Sequence, residues 1–125
     1  MAYRYKPVLR KKPGTQEGKY YASISSISKI TEKDLAVEIG ELTALNRTDV
    51  RSVLDSLMQV IPRQLSRGMR VQLGELGSFD IKAKSEGKET AEEVNAHCIE
   101  RPRPQFTCGR SLQNAVEHIS FEKVE

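Results

Sequence analysis

At 125 residues, with 38% hydrophobic and 30% charged side chains and a net charge of +3, the chain has room for one small domain and at most an appendage. No apolar run approaches the roughly 18 residues that cross a bilayer, and the basic N-terminus lacks the apolar stretch of a secretory signal. Cys98, Cys108, His97 and His118 show no metal-ligand spacing, so reduced thiols in a cytoplasmic protein without metal or cofactor are expected.

In chain order, residues 1–19 hold Pro7, Pro13 and Gly14, with Tyr3 and Tyr5 alternating, which predicts a short strand and a basic loop ending at Gly18. Over 20–30, Tyr20, Ala22 and Ile24 alternate with Tyr21, Ser23 and Ser25 as a second extended segment. Thr31 suits an N-cap, and Asp34 takes the capping-box position where Glu or Gln is commoner. Leu35, Ile39 and Leu42 then recur at helical spacing. Asn46 or Thr48 caps a second helix with an apolar face of Val50, Val53, Leu54, Leu57, Ile61 and Leu65. Pro62 falls inside that pattern. An interior proline costs about 3 kcal/mol, so a kink or a junction of two helices is expected there, with Gly68 as the stop.

The stretch GMRVQLGELGSF at 68–79 reads as two strands joined by a tight glycine turn. Val71 and Leu73 share one face of the first strand; Phe79, Ile81 and Ala83 share one face of the second, which sends Asp80, Lys82 and Lys84 the other way. Arg101, Arg103 and Gln105 likewise oppose Pro102, Pro104 and Phe106, so the sheet has an apolar face and a basic face. Between them, Thr90 caps a short helix through Glu92, Glu93 and Val94. PQFTCGR at 104–110 opens a last helix over 110–119 with Leu112, Ala115, Val116 and Ile119 on one side, and 121–124 forms a final strand that pairs with residues 3–9.

Charge is unevenly spread. Residues 1–20 carry +5, 61–84 carry +3, 85–100 carry −4, and 101–110 carry +3. Basic blocks favour a polyanionic partner. Catalysis has no matching signature: Ser23, Ser25, Ser26 and Ser28 form no GxSxG elbow, no GxxxxGK[ST] loop is present, and neither histidine neighbours a nucleophile in sequence. Neither an enzyme nor a small-molecule substrate is expected.

Helix, helix, hairpin, divergent segment, return strand, helix is the element order of the HU/IHF-type histone-like DNA-binding proteins. GELGSF resembles that family's glycine-phenylalanine turn, and QFTCGRSLQNAV resembles its closing strand and helix entry. The resemblance covers roughly 31–119, which divides the chain into an N-terminal extension (1–30, strand and basic loop) and an HU-like DNA-binding domain (31–125). It implies an α+β fold in an intertwined homodimer, with two helices at the base, a three-stranded antiparallel sheet making a saddle, and extra terminal strands. Leu54, Leu57 and Ile61 fit such a base, with Phe79 and Phe106 between subunits.

The implied activity is architectural. The chain would bind double-stranded DNA in the nucleoid, mainly through phosphates and with little sequence preference. Arg110, at the position of a family phosphate contact and beside helix-start N–H groups that favour an anion, heads the implied set. Lys82, Lys84, Arg101, Arg103 and Arg70 follow from the sheet face, and Arg10, Lys11 and Lys12 from the basic extension. The chain departs from the family in its arm. The family's long basic ribbons end in an Asn-Pro tip that wedges between base steps, whereas SEGKETAEEVNAHCIERP lacks Asn-Pro and is acidic, and Asp80 adds a negative charge to the binding face. Sharp bending by intercalation is not expected, since carboxylates are repelled by the minor groove's negative potential.

Two alternatives fit the same order. One is an HU-fold scaffold that has lost DNA affinity and binds another protein, or its own copies, through 85–100 and the added strands. The other is a winged-helix regulator, with Arg47 and Arg51 near the start of a recognition helix that also holds Asp49 and Asp55.

Overall fold

A computed structural model describes residues 2–124 as an α+β fold. The elements are β1 (Ala2–Lys11), β2 (Gly18–Ser25), α1 (Glu32–Leu42), α2 (Arg47–Ser66), β3 (Val71–Leu73), β4 (Gly77–Ser85), β5 (Ile99–Cys108), α3 (Arg110–Val116) and β6 (Ser120–Lys123). They make two three-stranded sheets. The inner one is an antiparallel meander in the order β3-β4-β5. The outer one has β1 at its centre, antiparallel to β2 and parallel to β6. The final strand therefore pairs with the start of β1, from Ala2↔Ser120 to Tyr5↔Lys123, and not with its later half.

The helix signals in the sequence act as anticipated at three of four ends. Thr31 and Asp34 complete a capping box: Asp34 N–H donates to Thr31 Oγ1 at 3.5 Å, and Thr31 N–H donates to Asp34 Oδ2 at 3.1 Å. The Thr31 backbone N–H first, and its hydroxyl second, which donates to Asp34 Oδ2 at 2.9 Å, hold the Asp34 carboxyl below its ordinary pKa. Asn46, rather than Thr48, caps α2, its Oδ1 accepting from Asp49 N–H at 2.8 Å. At the other end Gly68 sits at φ +88° in a Schellman arrangement, with Met69 N–H donating to Gln64 O and Gly68 N–H to Leu65 O, both at 3.1 Å.

α2 runs as one helix through Pro62, which rules out the junction of two helices and leaves the kink as the other expectation. The proline ring lies over the inner sheet, lining an apolar groove of about 430 Å³ with Leu65, Ile81, Pro102 and Pro104. The last helix stops at Val116, not at residue 119. The chain turns at 117–118, and Ile119 belongs to the link into β6, whose pairing with β1 sets that direction.

The two glycine motifs meet. The β3–β4 turn presents the Leu76 carbonyl to Gly109 N–H at 2.9 Å and the Glu75 carbonyl to Ser111 N–H at 3.1 Å. A Cβ at Gly109 would collide with the Glu75 carbonyl, and one at Gly77 with the Phe106 ring and the Thr107 carbonyl. GELGSF and QFTCGR are thus two sides of one seam. Beside it Phe79 and Phe106 pack with ring centroids 5.0 Å apart and tilted by 56°.

Very little of this is buried. Among the described residues only Ala36, Val50 and Cys98 are buried hydrophobics, while Val53, Leu57, Met58, Leu76, Ile81 and Phe106 are all exposed.

At the start of α1, Glu32 turns one carboxylate oxygen into a buried position with no partner. Asp55 of α2 lies beside it, and a hydrogen bond between the two carboxyls, available only when one is protonated, raises the Glu32 pKa; desolvation and the Asp55 charge add to this, and Arg51 opposes it. A carboxyl whose folded-state pKa is raised stabilises the fold below its unfolded pKa of about 4.5 and loses that contribution as pH rises through the folded value. Glu32→Gln is therefore expected to raise the melting temperature at pH 7 and to have no such effect near pH 4. Equal effects at both pH values in thermal melts would contradict the pairing.

Candidate nucleic-acid interface

Alternation along the inner sheet sorts its side chains by face. Phe79↔Phe106 and Ile81↔Pro104 stand opposite each other on the apolar side. Ser78↔Thr107, Asp80↔Gln105 and Lys82↔Arg103 stand opposite on the polar side. Lys82 and Arg103 are direct cross-strand neighbours of like charge, an arrangement that disfavours the sheet by up to about 1 kcal/mol unless something negative lies over it. Among the described residues the only ion pair within 4.0 Å is Lys88–Glu86, at 3.9 Å, so no carboxylate closes on either side chain.

Arg70, just before β3, extends this face. Its guanidinium donates to the hydroxyl of buried Ser78 at 3.0 Å. It lines a shallow polar depression of about 340 Å³ with Gln72, Ser78, Thr107, Cys108 and Gly109. Ser78 and Thr107 are not among the candidate residues read from the sequence. The signal was available: Ser78 and Thr107 are the polar positions flanking Phe79 and Phe106 in the two motifs. Asp80 reaches back to the backbone, accepting from Ile81 N–H at 2.8 Å.

The face does not continue as simple alternation predicts. Register slips between Lys82 and Lys84, so that Lys84 pairs with Glu100 and not with Arg101. The extra residue on β5 is a bulge at Arg101, which takes φ +53°, a left-handed conformation that side chains rarely adopt. Arg101 is thereby removed from the row of Arg103 and Gln105, and Glu100 takes the place opposite Lys84. The polar face remains net positive through Arg70, Lys82, Lys84 and Arg103, against Asp80 and Glu100.

Arg110 opens α3 and is exposed. The anion site expected at this helix start is largely occupied from within: the Gly109 and Ser111 N–H groups are already bonded to Leu76 O and Glu75 O. What Arg110 offers is its own charge.

The segment between β4 and β5 is a compact tip, closed by Glu86 N–H donating to Cys98 O at 2.8 Å. The single short helix expected after Thr90 is replaced by two one-turn 3-10 helices, Ala91–Glu93 and Ala96–Cys98. Thr90 makes no side-chain cap, whereas Asn95 Oδ1 accepts from His97 N–H at 2.9 Å. Cys98 is buried inside the tip, Cys108 is exposed at the end of β5, and both are free thiols.

The basic triplet of the extension is split by the pleat. Arg10 pairs with Lys19 and, with Lys12, lines one depression; Arg10 also lies over the Tyr21 ring at 5.9 Å. Lys11 pairs with Gly18 on the opposite face, beside Leu9.

Two solved structures share this fold. A Bacteroides vulgatus protein classed as DNA-binding superposes with a TM-score of 0.63 at 12% identity, covering 97% of this chain. This chain spans 48%, about half, of that one. An Anabaena HU–DNA cocrystal structure superposes with a TM-score of 0.56 at 21% identity, covering 71% of this chain and 99% of the Anabaena chain. In sequence, the DNA-binding protein HU of Streptococcus mutans is 27% identical over 90 residues, which is 69% of this chain and 97% of that protein. Residues 1–123 match the family model described as an HU domain fused to wHTH, Ig or a glycine-rich motif, and the chain belongs to that family.

The Lys82↔Arg103 register is testable without any ligand. Lys82→Glu converts the like-charge pair into an opposite-charge pair and is expected to stabilise the protein by about 0.5 kcal/mol in urea denaturation at low salt. Destabilisation would contradict the pairing.

Proposed function

We propose that this protein is an HU-like, non-enzymatic, architectural DNA-binding protein of the nucleoid that grips duplex DNA through its phosphates with little sequence preference. The observation that carries the reading is the polar face of the inner sheet. Lys82 and Arg103 are held opposite one another, and Arg70 is fixed on Ser78. Together they concentrate unpaired cationic groups on the side away from the apolar layer. Such groups displace condensed counterions from DNA, which gives affinity that depends on salt and not on sequence. Lys84 and Arg110 extend the surface. Arg101 contributes from the bulge, outside the main row.

The working form is a homodimer built on the HU-like unit that starts at Thr31. Its support is the exposed apolar layer: the groove over Pro62, Ile81 and Pro104 and the half-exposed Phe106 need cover that one chain does not supply. The extension (1–30) forms an accessory sheet with β6. Weak bending follows from the tip, which carries Glu89, Glu92 and Glu93 and no Asn-Pro wedge.

The experiment is fluorescence anisotropy on a random 30-base-pair duplex across a salt series. Binding is expected to weaken steeply with salt, and Arg70→Gln with Lys82→Gln and Arg103→Gln is expected to flatten the log–log slope by about 2 to 3. Glu100→Gln, which removes the negative charge opposite Lys84, should tighten binding about two-fold. Absence of binding at 50 mM salt would refute the reading, as would a slope unaffected by the triple substitution.

A further inference from the structure

The outer sheet has a basic face of its own. Register places Arg4↔Ser25, Lys6↔Ser23, Val8↔Tyr21 and Arg10↔Lys19 on one side, and Tyr5↔Ile24, Pro7↔Ala22, Leu9↔Tyr20 and Lys11↔Gly18 on the other. The first side is cationic and the second apolar. Of the basic residues in the strands, Arg4, Lys6, Arg10 and Lys19 share the first side, and Lys12 joins them in the depression of about 360 Å³ at the hairpin end. Two carboxylates border the patch: Glu122 stands opposite Arg4, and Glu17 lines the depression. Neither closes within 4.0 Å of a basic group, so among the described residues Lys6, Arg10 and Lys19, at the centre of the patch, make no ion pair.

Arg10 and Lys19 repeat the arrangement of Lys82 and Arg103: like charges directly opposite in an antiparallel pair, which disfavours the hairpin until an anion spans them. Same-side residues two apart on a strand are about 6.7 Å apart, so Lys6 and Arg10 lie about 13 Å apart. Duplex DNA presents a charge for every roughly 1.7 Å of its axis, so a stripe of this length faces several phosphates at once.

We propose that this face, centred on Lys6, Arg10 and Lys19, is a second phosphate-contacting surface for duplex DNA, separate from the inner sheet. The proposal rests on the duplex-binding reading above and extends it. DNA is favoured over an acidic protein because the stripe is long and its central charges, Lys6, Arg10 and Lys19, are all positive, with Val8, Tyr21 and Ser23 as the uncharged members between them. The same chain also offers the inner face to the same polymer, so a duplex held by one face is at high effective concentration for the other.

The test is the salt dependence of binding to the 30-base-pair duplex, for the full chain, its Lys6→Gln/Arg10→Gln/Lys19→Gln variant and the inner-sheet triple variant. The outer variant is expected to lower the slope by about 2 to 3, additively with the inner one. Its circular dichroism and melting temperature should stay at or above those of the parent, because the substitutions remove like-charge repulsion. Face is separated from total charge by two single variants with the same charge change, Arg10→Gln and Lys11→Gln. The first should lower the slope by about 0.9 and the second should leave it unchanged. These singles also read the proposal should the triple variant fail to fold. An unchanged slope in the outer variant, with duplex binding intact, overturns this proposal and leaves the inner-sheet reading standing; the face would then serve another acidic partner. Equal losses for Arg10→Gln and Lys11→Gln overturn it as well. No duplex binding by the parent chain overturns both.

Discussion

The constraint on which the rest of this structure depends is a deficit of burial. The chain exposes 10849 Å², whereas a compact monomer of its mass would expose about 6,700 Å². The excess, about 4,000 Å², is larger than one partner's share of even a large obligate interface. Among the described residues three small or medium hydrophobic side chains are buried, Ala36 and Val50 in the helices and Cys98 in the tip, while Leu54, Ile61, Leu65 and Phe79 are half-buried and Val53, Leu57, Ile81 and Phe106 are exposed. Conformational entropy opposes folding by about 1–2 kcal/mol per residue for the backbone alone, which favours further burial. In the proposed homodimer a second copy would close over the apolar layer, and the exposed polar face would be what the assembly presents to its surroundings.

Within one chain, order is set at the seam where the β3–β4 turn meets the start of α3. Close approach of backbone to backbone at Gly77 and Gly109 lets two turn carbonyls take two N–H groups of the helix entry. The seam also fixes the register of the long β4–β5 pair, because Gly77 stands opposite Cys108. From that anchor, pleat alone delivers Lys82 opposite Arg103 and Phe79 opposite Phe106. The charge pattern follows from backbone geometry laid down one end away. The bulge at Arg101 then ends the basic row and turns Glu100 into it, which tempers the field toward the acidic tip.

Much of this was legible in the sequence because its causes are local. The Thr31–Asp34 box, a cap at Asn46 or Thr48 (the structure uses Asn46), the Gly68 stop and the period-2 pattern of 78–82 each follow from a few adjacent residues, and each stands in the structure. What was not legible depended on partners distant in the chain. Nothing near Arg101 signals that it will take φ +53°; that follows from fitting 99–103 against 82–85. Pro62 reads as a break because its cost is local, whereas its setting, a groove shared with Ile81, Pro102 and Pro104, is tertiary. The last helix ends early because β6 must reach β1, more than a hundred residues away in sequence. The split of Arg10 and Lys12 from Lys11 was within reach of a period-2 argument, once the strand was known to run through residue 11.

The homodimer proposed above, in which a second copy covers the apolar layer, is open to a direct test. The most direct measurement is sedimentation equilibrium combined with urea unfolding at protein concentrations spanning three decades. The account predicts a dimer at micromolar concentration, with an unfolding midpoint that rises as the protein is concentrated. A monomer that unfolds cooperatively at a midpoint independent of concentration would contradict it.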